Sequence, residues 1–225
     1  MTLIVETLQR NDASTTVLLA DDHAIVRMGF RLLLETASKC RVVGEAASGE
    51  EACSLYFKLN PDVLVIDIAM PGMGGLEAIN RILARNPGAR ILVLSAHEDT
   101  SYPRRAMQAG ALGYLSKRGA PAELLQAVDA VARGVTYIEP GIAQRLAVQG
   151  LKGPRGPVDM LSEREFEVFL HLAGGKSVAQ IAELLSLSPR TIGTHLYNIK
   201  QKLRAQNAAE LTLIALRAGL LSEGM

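Results

Sequence analysis

Short apolar runs alternate with longer segments of helical period between residues 17 and 133. The runs that predict strands are 17–20, 42–46, 63–66, 91–94 and 113–115, and the segments that predict helices are 25–34, 50–59, 76–84, 104–109 and 122–132. The third and fourth runs are apolar at every position, as expected for a parallel sheet with helices on both faces. The pattern predicts an α/β domain over 17–133 with a doubly wound, five-stranded parallel sheet.

A second region begins after Gly134, where this alternation stops. Residues 150–157 contain three glycines and two prolines, a composition typical of a linker between domains. We predict a linker over 134–157 that includes one short helix at 141–149, and an irregular polar leader over 1–16. From Leu161 onward the spacing is helical, which predicts a small all-α domain of four helices within 158–225.

Helix starts in the second domain carry capping residues. Ser162 with Glu165, Ser177 with Gln180 and Asn207 with Glu210 fit the capping-box pattern, and Ser188 precedes Pro189 at the first position of a helix. The helix predicted at 178–185 and the one that begins at Pro189 are joined by the short turn 186–188. This connectivity is that of a helix-turn-helix. The last helix is predicted at 208–220.

The composition excludes several classes of protein. The chain is 48% hydrophobic and 21% charged, which is ordinary for a globular protein and excludes wholesale disorder. No apolar run approaches the roughly 18 residues of a membrane helix, and residues 1–11 lack a basic start and a long apolar stretch. Cys40 and Cys53 have no ligand cluster nearby, so neither a disulfide framework nor a zinc site is indicated. We therefore expect a soluble cytoplasmic protein without a membrane partner.

Polar residues follow the predicted strands at the carboxyl edge of the sheet, where parallel α/β sheets bind ligands. They are Asp21 and Asp22 after the first strand, Asp67 at the end of the third, Ser95 after the fourth and Lys117 after the fifth. Three converging carboxylates need a cation, and an all-oxygen set suits Mg²⁺. Asp67 is then the candidate nucleophile toward phosphorus, with Lys117 and Ser95 holding the phosphoryl oxygens. The alternative is that these residues are unrelated caps on loop ends.

The net charge of +1 conceals a local excess of positive charge, because residues 188–206 contain four basic residues and no acid. In the helix that begins at Pro189, apolar residues at 192, 196, 199 and 203 form one stripe, and His195 lies near it. The opposite side carries Arg190, Thr194, Tyr197, Asn198 and Gln201, with Lys200 and Lys202 on its flanks. This arrangement suits a DNA major groove, where neutral groups can contact base edges in the centre and cations can contact phosphate groups at the rims. The alternative, a solvated face of a bundle helix, would mix acids with bases.

The residues of the first domain resemble a known family. The start Asp21-Asp22-His23, Asp67 followed by Met70-Pro71-Gly72, Ser95-Ala96 and Gly113-Tyr114-Leu115-Ser116-Lys117 look like the receiver domain of bacterial two-component response regulators. The resemblance implies that Asp67 accepts a phosphoryl group from a sensor histidine kinase. It also implies that Mg²⁺ is held by Asp21 or Asp22, by Asp67 and by the carbonyl of Ala69.

The same resemblance implies that Ser95 and Tyr114 form a switch pair beside Lys117. The hydroxyl group would move toward the phosphoryl group while the ring turns inward. A simple core aromatic on a strand is the alternative for Tyr114. One departure is that no proline follows Lys117, where many receivers have one, so the loop that carries the lysine can differ.

The second domain resembles the LuxR-type helix-turn-helix. The resemblance rests on Leu161-Ser-Glu-Arg-Glu165, Ile181-Ala182, Ser188-Pro-Arg-Thr-Ile192, His195, Asn198-Ile199 and Lys202-Leu203. With the receiver in front, the chain is similar to NarL/FixJ-family response regulators, and its linker and tail look closest to the GacA/UvrY branch. DNA contacts are then expected from Arg190, Thr191, Gly193, Thr194, Tyr197, Asn198, Lys200 and Lys202. Gly193 departs from relatives that often have Lys there, and glycine costs a helix about 1 kcal/mol.

These resemblances imply a transcription regulator rather than an enzyme. A sensor histidine kinase would phosphorylate Asp67, and the chain would bind double-stranded DNA as a homodimer. Two alternatives stay open at this point. One is a phosphorylation-gated module whose helices bind a protein, which the acid-free helix disfavours. The other is a haloacid-dehalogenase-type phosphatase, which needs a second Asp at the position of Ala69.

Overall fold

The computed structural model of the 225-residue chain describes residues 14–36, 39–96, 101–150, 156–185, 187–218 and 220–221. The chain divides into two compact units, residues 1–147 and 148–225. The leader up to residue 13, the glycine- and proline-rich positions 151–155 and Ser186 of the predicted turn lie outside the described residues. None of the helices in the described ranges combines the length and the apolar character that a membrane span requires.

The first unit is a doubly wound α/β domain, as predicted. Its elements are β1 (Thr15–Ala20), α1 (Ala24–Thr36), β2 (Cys40–Ala46), α2 (Gly49–Leu59), β3 (Val63–Asp67), α3 (Gly75–Arg85), β4 (Ile91–Ser95), α4 (Ser101–Gln108), β5 (Gly113–Ser116), α5 (Ala120–Ala132) and β6 (Tyr137–Ile138). Helix α6 (Pro140–Gly150) begins in this unit and extends past its last residue. The strand order is β2-β1-β3-β4-β5-β6, and every neighbouring pair is parallel.

The sheet has six strands in the described residues, where five were predicted. The additional strand, β6, lies within the segment 134–157 that was predicted to be a linker. It pairs with β5 through Tyr137 N, which donates to Leu112 O, and Glu139 N, which donates to Tyr114 O, each at 3.0 Å. A strand of two residues is too short to show a periodic pattern, so only the tertiary pairing reveals it.

The predicted leader is also shorter than expected, because β1 begins at Thr15. Thr15 N donates to Lys39 O at 2.8 Å, and the Thr16 hydroxyl group donates to the Asp62 carboxylate at 2.6 Å. These two threonines are polar, so the apolar run that predicted the strand started only at Val17.

Strands β3 and β4 form the centre of the sheet and are buried along their whole length. Side chains on one face pack with α1 and α5, among them Val65, Leu94, Phe30, Leu34 and Val128. Full burial of an aliphatic or aromatic side chain contributes about 1.5–3 kcal/mol. The strand ends are therefore held by a rigid core. At the end of β3, a Cβ on Gly75 would lie 2.1 Å from Asp67 O, so glycine lets α3 return this close to the strand.

The second unit contains the four predicted helices. A short 3₁₀ helix (Pro157–Met160) precedes α7 (Glu163–Ala173), α8 (Val178–Leu184), α9 (Pro189–Leu203) and α10 (Ala208–Arg217). The capping boxes at Ser162 and Ser177 are confirmed, as is the Ser188 cap of α9. At α10, Asn207 caps the helix, but Glu210 accepts a hydrogen bond from Gln206 N, one residue before the predicted donor. Helix α10 also ends at Arg217, before the predicted Leu220.

Candidate functional site

The candidate site of the first unit lies at the carboxyl edge of the sheet. Asp21 follows β1, Asp67 ends β3, Ser95 ends β4 and Lys117 follows β5. Three of these residues are almost fully buried, with exposed fractions of 1% for Asp21, 2% for Asp67 and 0% for Ser95. The parallel strand register brings together side chains that are far apart in the sequence. Burial of these polar groups costs desolvation free energy, so they need hydrogen bonds or ion pairs inside the protein.

Lys117 provides that interaction for two of the carboxylates. Its Nζ lies 2.6 Å from Asp67 Oδ2 and 2.7 Å from Asp21 Oδ2. Burial raises the pKa of Asp67 more than the nearby ammonium group lowers it. Burial alone would lower the pKa of Lys117, but the Asp67 and Asp21 carboxylates outweigh it, so that the pKa is raised and the lysine stays charged. One cation thus faces two buried acids.

The pocket also contains Asp22 and His23. Asp22 is partly exposed, and its Oδ1 lies 2.8 Å from His23 Nδ1. Ligand atoms of Asp21, Asp22, His23 and Asp67 all lie within 4.8 Å of one another. His23 was not among the predicted site residues. Its position directly after two acids is the sequence signal that could have included it.

Two oxygens of this cluster suit a metal ion. Asp21 Oδ2 and Asp22 Oδ1 are buried, and neither accepts a hydrogen bond of normal geometry from the described residues, although Lys117 Nζ lies close to the first and His23 Nδ1 to the second. Carboxylate oxygens are ligands that Mg²⁺ takes in proteins, usually together with several water molecules. The predicted ligand Ala69 lies beside the pocket, since its N–H donates to Asp67 Oδ1 at 3.1 Å.

Ser95 and Tyr114 lie on neighbouring strands next to this pocket. In the register of β4 and β5, Ser95 is opposite Ser116 and Tyr114 is opposite Val93. Both side chains are fully buried, with an exposed fraction of 0% each. The structure therefore has the Tyr114 ring inside the protein. A burial of this kind is compatible with a switch residue and with a core aromatic.

The second candidate site is the outer side of α9. Arg190, Gly193, Thr194 and Tyr197 are exposed, and the Tyr197 side chain is 64% exposed. Asn198 and Lys200 are half-buried, and Lys200 Nζ donates to Gln206 O at 2.9 Å. Thr191 is also half-buried, and its N–H and hydroxyl group interact with the capping Ser188 side chain. No acidic side chain of α9 interrupts this surface.

The inner side of α9 fixes its position. Ile192, Ile199 and Leu203 are buried, as the stripe predicted, whereas Leu196 is half-buried. Lys202 does not lie free at the flank, because its Nζ is 2.5 Å from Oε2 of the buried Glu165 in α7. Burial alone would raise the pKa of Glu165, but the Lys202 hydrogen bond lowers it. His195 is half-buried, and this burial lowers its pKa.

Known proteins resemble this chain in sequence along most of its length. Residues 17–129 match the family described as response regulator receiver domain, and residues 159–215 match the bacterial regulatory proteins of the luxR family. Response regulator GacA of Pseudomonas viridiflava is 40% identical over 91% of this chain and 96% of GacA. Response regulator UvrY of Escherichia coli (strain K12) is 41% identical over 91% of this chain and 94% of UvrY.

A solved structure adds evidence for the fold. The two-component response regulator RcsB, in a complex with DNA, matches this chain with a TM-score of 0.57 and 28% identity over 90% of this chain and 98% of the RcsB chain. The first family match covers the unit with the acidic pocket, and the second covers the unit with α9. The chain therefore belongs to the two-component response regulators that join a receiver domain to a LuxR-type DNA-binding domain.

Proposed function

We propose that phosphorylation of Asp67 by a sensor histidine kinase controls the binding of α9 to DNA. The observation that carries this proposal is the position of Asp67 in the acidic pocket, with its Oδ2 2.6 Å from Lys117 Nζ. Lys117 donates to one carboxylate oxygen of Asp67 and the Ala69 N–H donates to the other, so the carboxylate is oriented before any donor arrives. We place the receiver at the predicted 17–133, extended by the first two residues of β1 and by β6. The remainder of 134–157 is the proposed linker, and 158–225 is the proposed DNA-binding domain.

The chemistry is an in-line transfer. A carboxylate oxygen of Asp67 forms a bond to the phosphorus of a phosphohistidine, the P–N bond breaks, and its electron pair stays on the imidazole of the kinase. Lys117 is placed to bind an oxygen of the transferred group. Asp21, Asp22, Asp67 and the Ala69 carbonyl would hold Mg²⁺, which neutralises negative charge on the phosphoryl group when bound. With Ala69 two residues after Asp67, the chain lacks the second acid of a haloacid-dehalogenase-type phosphatase, so we propose no enzymatic turnover.

Phosphorylation adds negative charge at the edge formed by β3, β4 and β5. Ser95 ends the strand beside β3, and Tyr114 lies on the strand after that. We place the switch in these two residues: the Ser95 hydroxyl group moves to bind the phosphoryl oxygens, and this movement favours the inward position of the Tyr114 ring over an outward one. The added charge would shift the equilibrium between two conformations of this edge.

The outer side of α9 is the proposed DNA contact. Arg190, Gly193, Thr194 and Tyr197 are exposed for base edges, and Lys200 lies at the margin for a phosphate group, with Thr191, Asn198 and Lys202 completing the predicted set. The DNA complex of RcsB, a relative of the same architecture, supports this use of the domain. We propose that the chain binds double-stranded DNA in the cytoplasm as a homodimer on paired half-sites.

A mobility-shift titration tests this function directly. The full chain is mixed with a pool of random DNA duplexes, with and without prior treatment with acetyl phosphate and Mg²⁺. We expect phosphorylation to lower the protein concentration needed to shift the selected duplexes, and the shifted species to contain two protein chains. Binding that is undetectable in both states would favour the protein-binding alternative for the C-terminal domain.

Gly193 offers a separate prediction about the same surface. It lies in the middle of α9, and a Cβ added there would meet nothing within 4 Å. Gly193→Ala should therefore raise the free energy of unfolding of this domain by up to about 1 kcal/mol, because glycine weakens helices. Gly193→Lys should give a similar gain in stability and additionally tighten DNA binding and steepen its salt dependence, by one further phosphate contact. Thermal unfolding and filter binding measure the two effects, and equal DNA binding by both variants would exclude a contact at position 193.

A further inference from the structure

The loop that carries Lys117 is held from both sides by hydrogen bonds. Lys117 N donates to Ser95 O at 2.8 Å, and Gly119 N donates to the Ser116 hydroxyl group at 3.0 Å. The N–H of Ser116, the last residue of β5, donates to Glu139 Oε2 at 2.8 Å. Ser116 is only 2% exposed, so its N–H needs a partner inside the protein. Arg118 follows Lys117, so the rigidity of a proline is absent from this loop.

Glu139 comes from a different part of the chain. It directly follows β6 and precedes α6, and its carbonyl accepts hydrogen bonds from Ile142 N and Ala143 N in the first turn of that helix. Glutamate is not a favoured residue at such a position, where Ser, Thr, Asp or Asn would bind the helix N–H groups. The carboxylate of Glu139 instead reaches the β5–α5 loop, where it also packs on Gly119: a Cβ there would lie 2.9 Å from Oε2.

The strand β6 keeps Glu139 at this distance. Its backbone pairs with β5 at both ends, and the Tyr137 hydroxyl group donates to Glu123 of α5 at 2.7 Å. Burial and the Glu123 carboxylate raise the pKa of Tyr137 to about 12, so this donor stays protonated at neutral pH. Glu139 is therefore held near Ser116 by a strand that is bound to both β5 and α5.

We propose that Glu139 is a positioning residue for Lys117. A carboxylate that accepts a buried N–H forms a charge-assisted hydrogen bond, which is roughly twice as strong as a neutral one. This bond fixes the residue before Lys117, and the Lys117 ammonium group depends on that backbone to reach both Asp67 and Asp21. The proposal rests on the proposed role of Asp67 as phosphoryl acceptor, because its kinetic consequence is the rate of that step.

Three variants of the full chain test the proposal. Glu139→Ala removes the acceptor, Glu139→Gln keeps an amide oxygen for the Ser116 N–H, and Glu35→Ala makes the same change at an exposed acid near the end of α1, where the acid pairs with Arg31. We expect Glu139→Ala to slow phosphorylation by acetyl phosphate by roughly tenfold, since small displacements of a binding group are costly to rate. Glu139→Gln should recover most of the rate, and Glu35→Ala should react like the wild type.

Amide hydrogen exchange supplies a measurement that does not depend on the reaction. The amides of Ser116 and Lys117 should exchange faster in Glu139→Ala than in the wild type, and should stay protected in Glu139→Gln. Equal rates of phosphorylation and exchange for Glu139→Ala and the wild type would overturn the proposal, as would a Glu139→Gln variant as slow as Glu139→Ala. A wild-type chain that takes no phosphoryl group would reject the role of Asp67, while the exchange data would still decide whether Glu139 holds the loop.

Discussion

Replacing Asp67 with asparagine is expected to abolish formation of the acyl phosphate. The asparagine amide is close in shape to the carboxylate but is not nucleophilic toward phosphorus, so labelling by acetyl phosphate and Mg²⁺ should fall to background. The variant should still fold, because Lys117 keeps Asp21 as an ion-pair partner at 2.7 Å. Intact-protein mass spectrometry measures the gain of one phosphoryl group, and its sensitivity to hydroxylamine identifies an acyl phosphate.

The matched control is Asp129→Asn, which makes the same chemical change at an exposed acid on α5. Asp129 pairs with Arg133 on the surface, with 66% of its side chain exposed, away from the strand ends. This variant should take up the label like the wild type. Chelation of Mg²⁺ should suppress labelling in both the control and the wild type. Undiminished labelling of the Asp67→Asn variant would move the phosphorylation site elsewhere in the chain.

Replacing Lys202 with methionine should destabilise the DNA-binding domain. Removal of one partner of a buried ion pair costs about 3–5 kcal/mol. The cost here should be smaller, about 1–2 kcal/mol, because Lys202 is 40% exposed and water can reach the Glu165 carboxylate that remains. Hydrogen exchange measures the effect: amides of α7 and α9 should exchange faster, and peptides from β3 in the receiver serve as the internal reference.

The pH dependence of the free energy of unfolding tests this ion pair independently. Burial acts to raise the pKa of Glu165, but the Lys202 hydrogen bond brings it below its ordinary value, so the folded state binds the proton less well than the unfolded state. The stabilisation is therefore fully present above the unfolded pKa, and it is lost as the pH falls through the lowered, folded value. The wild-type domain should lose stability in this acid range more steeply than Lys202→Met. Parallel curves for the two proteins would mean that the pair contributes nothing.

The control for Lys202 is Lys200→Met, two residues away on the same helix. Lys200 donates to the carbonyl of Gln206 and touches no buried acid in the described contacts, so its loss should leave exchange in α7 unchanged. It should instead weaken binding to all DNA sequences and reduce the salt slope by roughly 1. If Lys202→Met changes only DNA affinity and not stability, the ion pair with Glu165 is not a structural support.

Most strands, helices and caps follow local rules, which is why the sequence predicts them. Apolar runs at β3 and β4 predicted a doubly covered parallel sheet, and Ser162 and Ser177 predicted helix starts that the structure confirms. The position of Asp67 at the carboxyl edge follows from the same pattern, because parallel strands end on one side of a sheet. The acid-free surface of α9 could also be predicted from the sequence, because an α-helix makes one turn every 3.6 residues and this period shows which side chains share a side.

The polar pairs that complete the sites depend on tertiary structure. Lys117 and Asp67 are 50 residues apart, Lys202 and Glu165 are 37 apart, and Ser116 and Glu139 are 23 apart. No spacing rule connects residues at such separations. Which acceptor oxygen pairs with which donor group depends on strand register, helix packing and side-chain rotamers. Local sequence patterns were enough to predict the fold class, the edge of the sheet that carries the acids and the exposed side of α9. Three features appear only in the folded chain: the pairing of β6 with β5, the ion pair of Lys202 with Glu165 and the hydrogen bond from Ser116 to Glu139. Short-range periodicity carries no information about contacts between such distant segments.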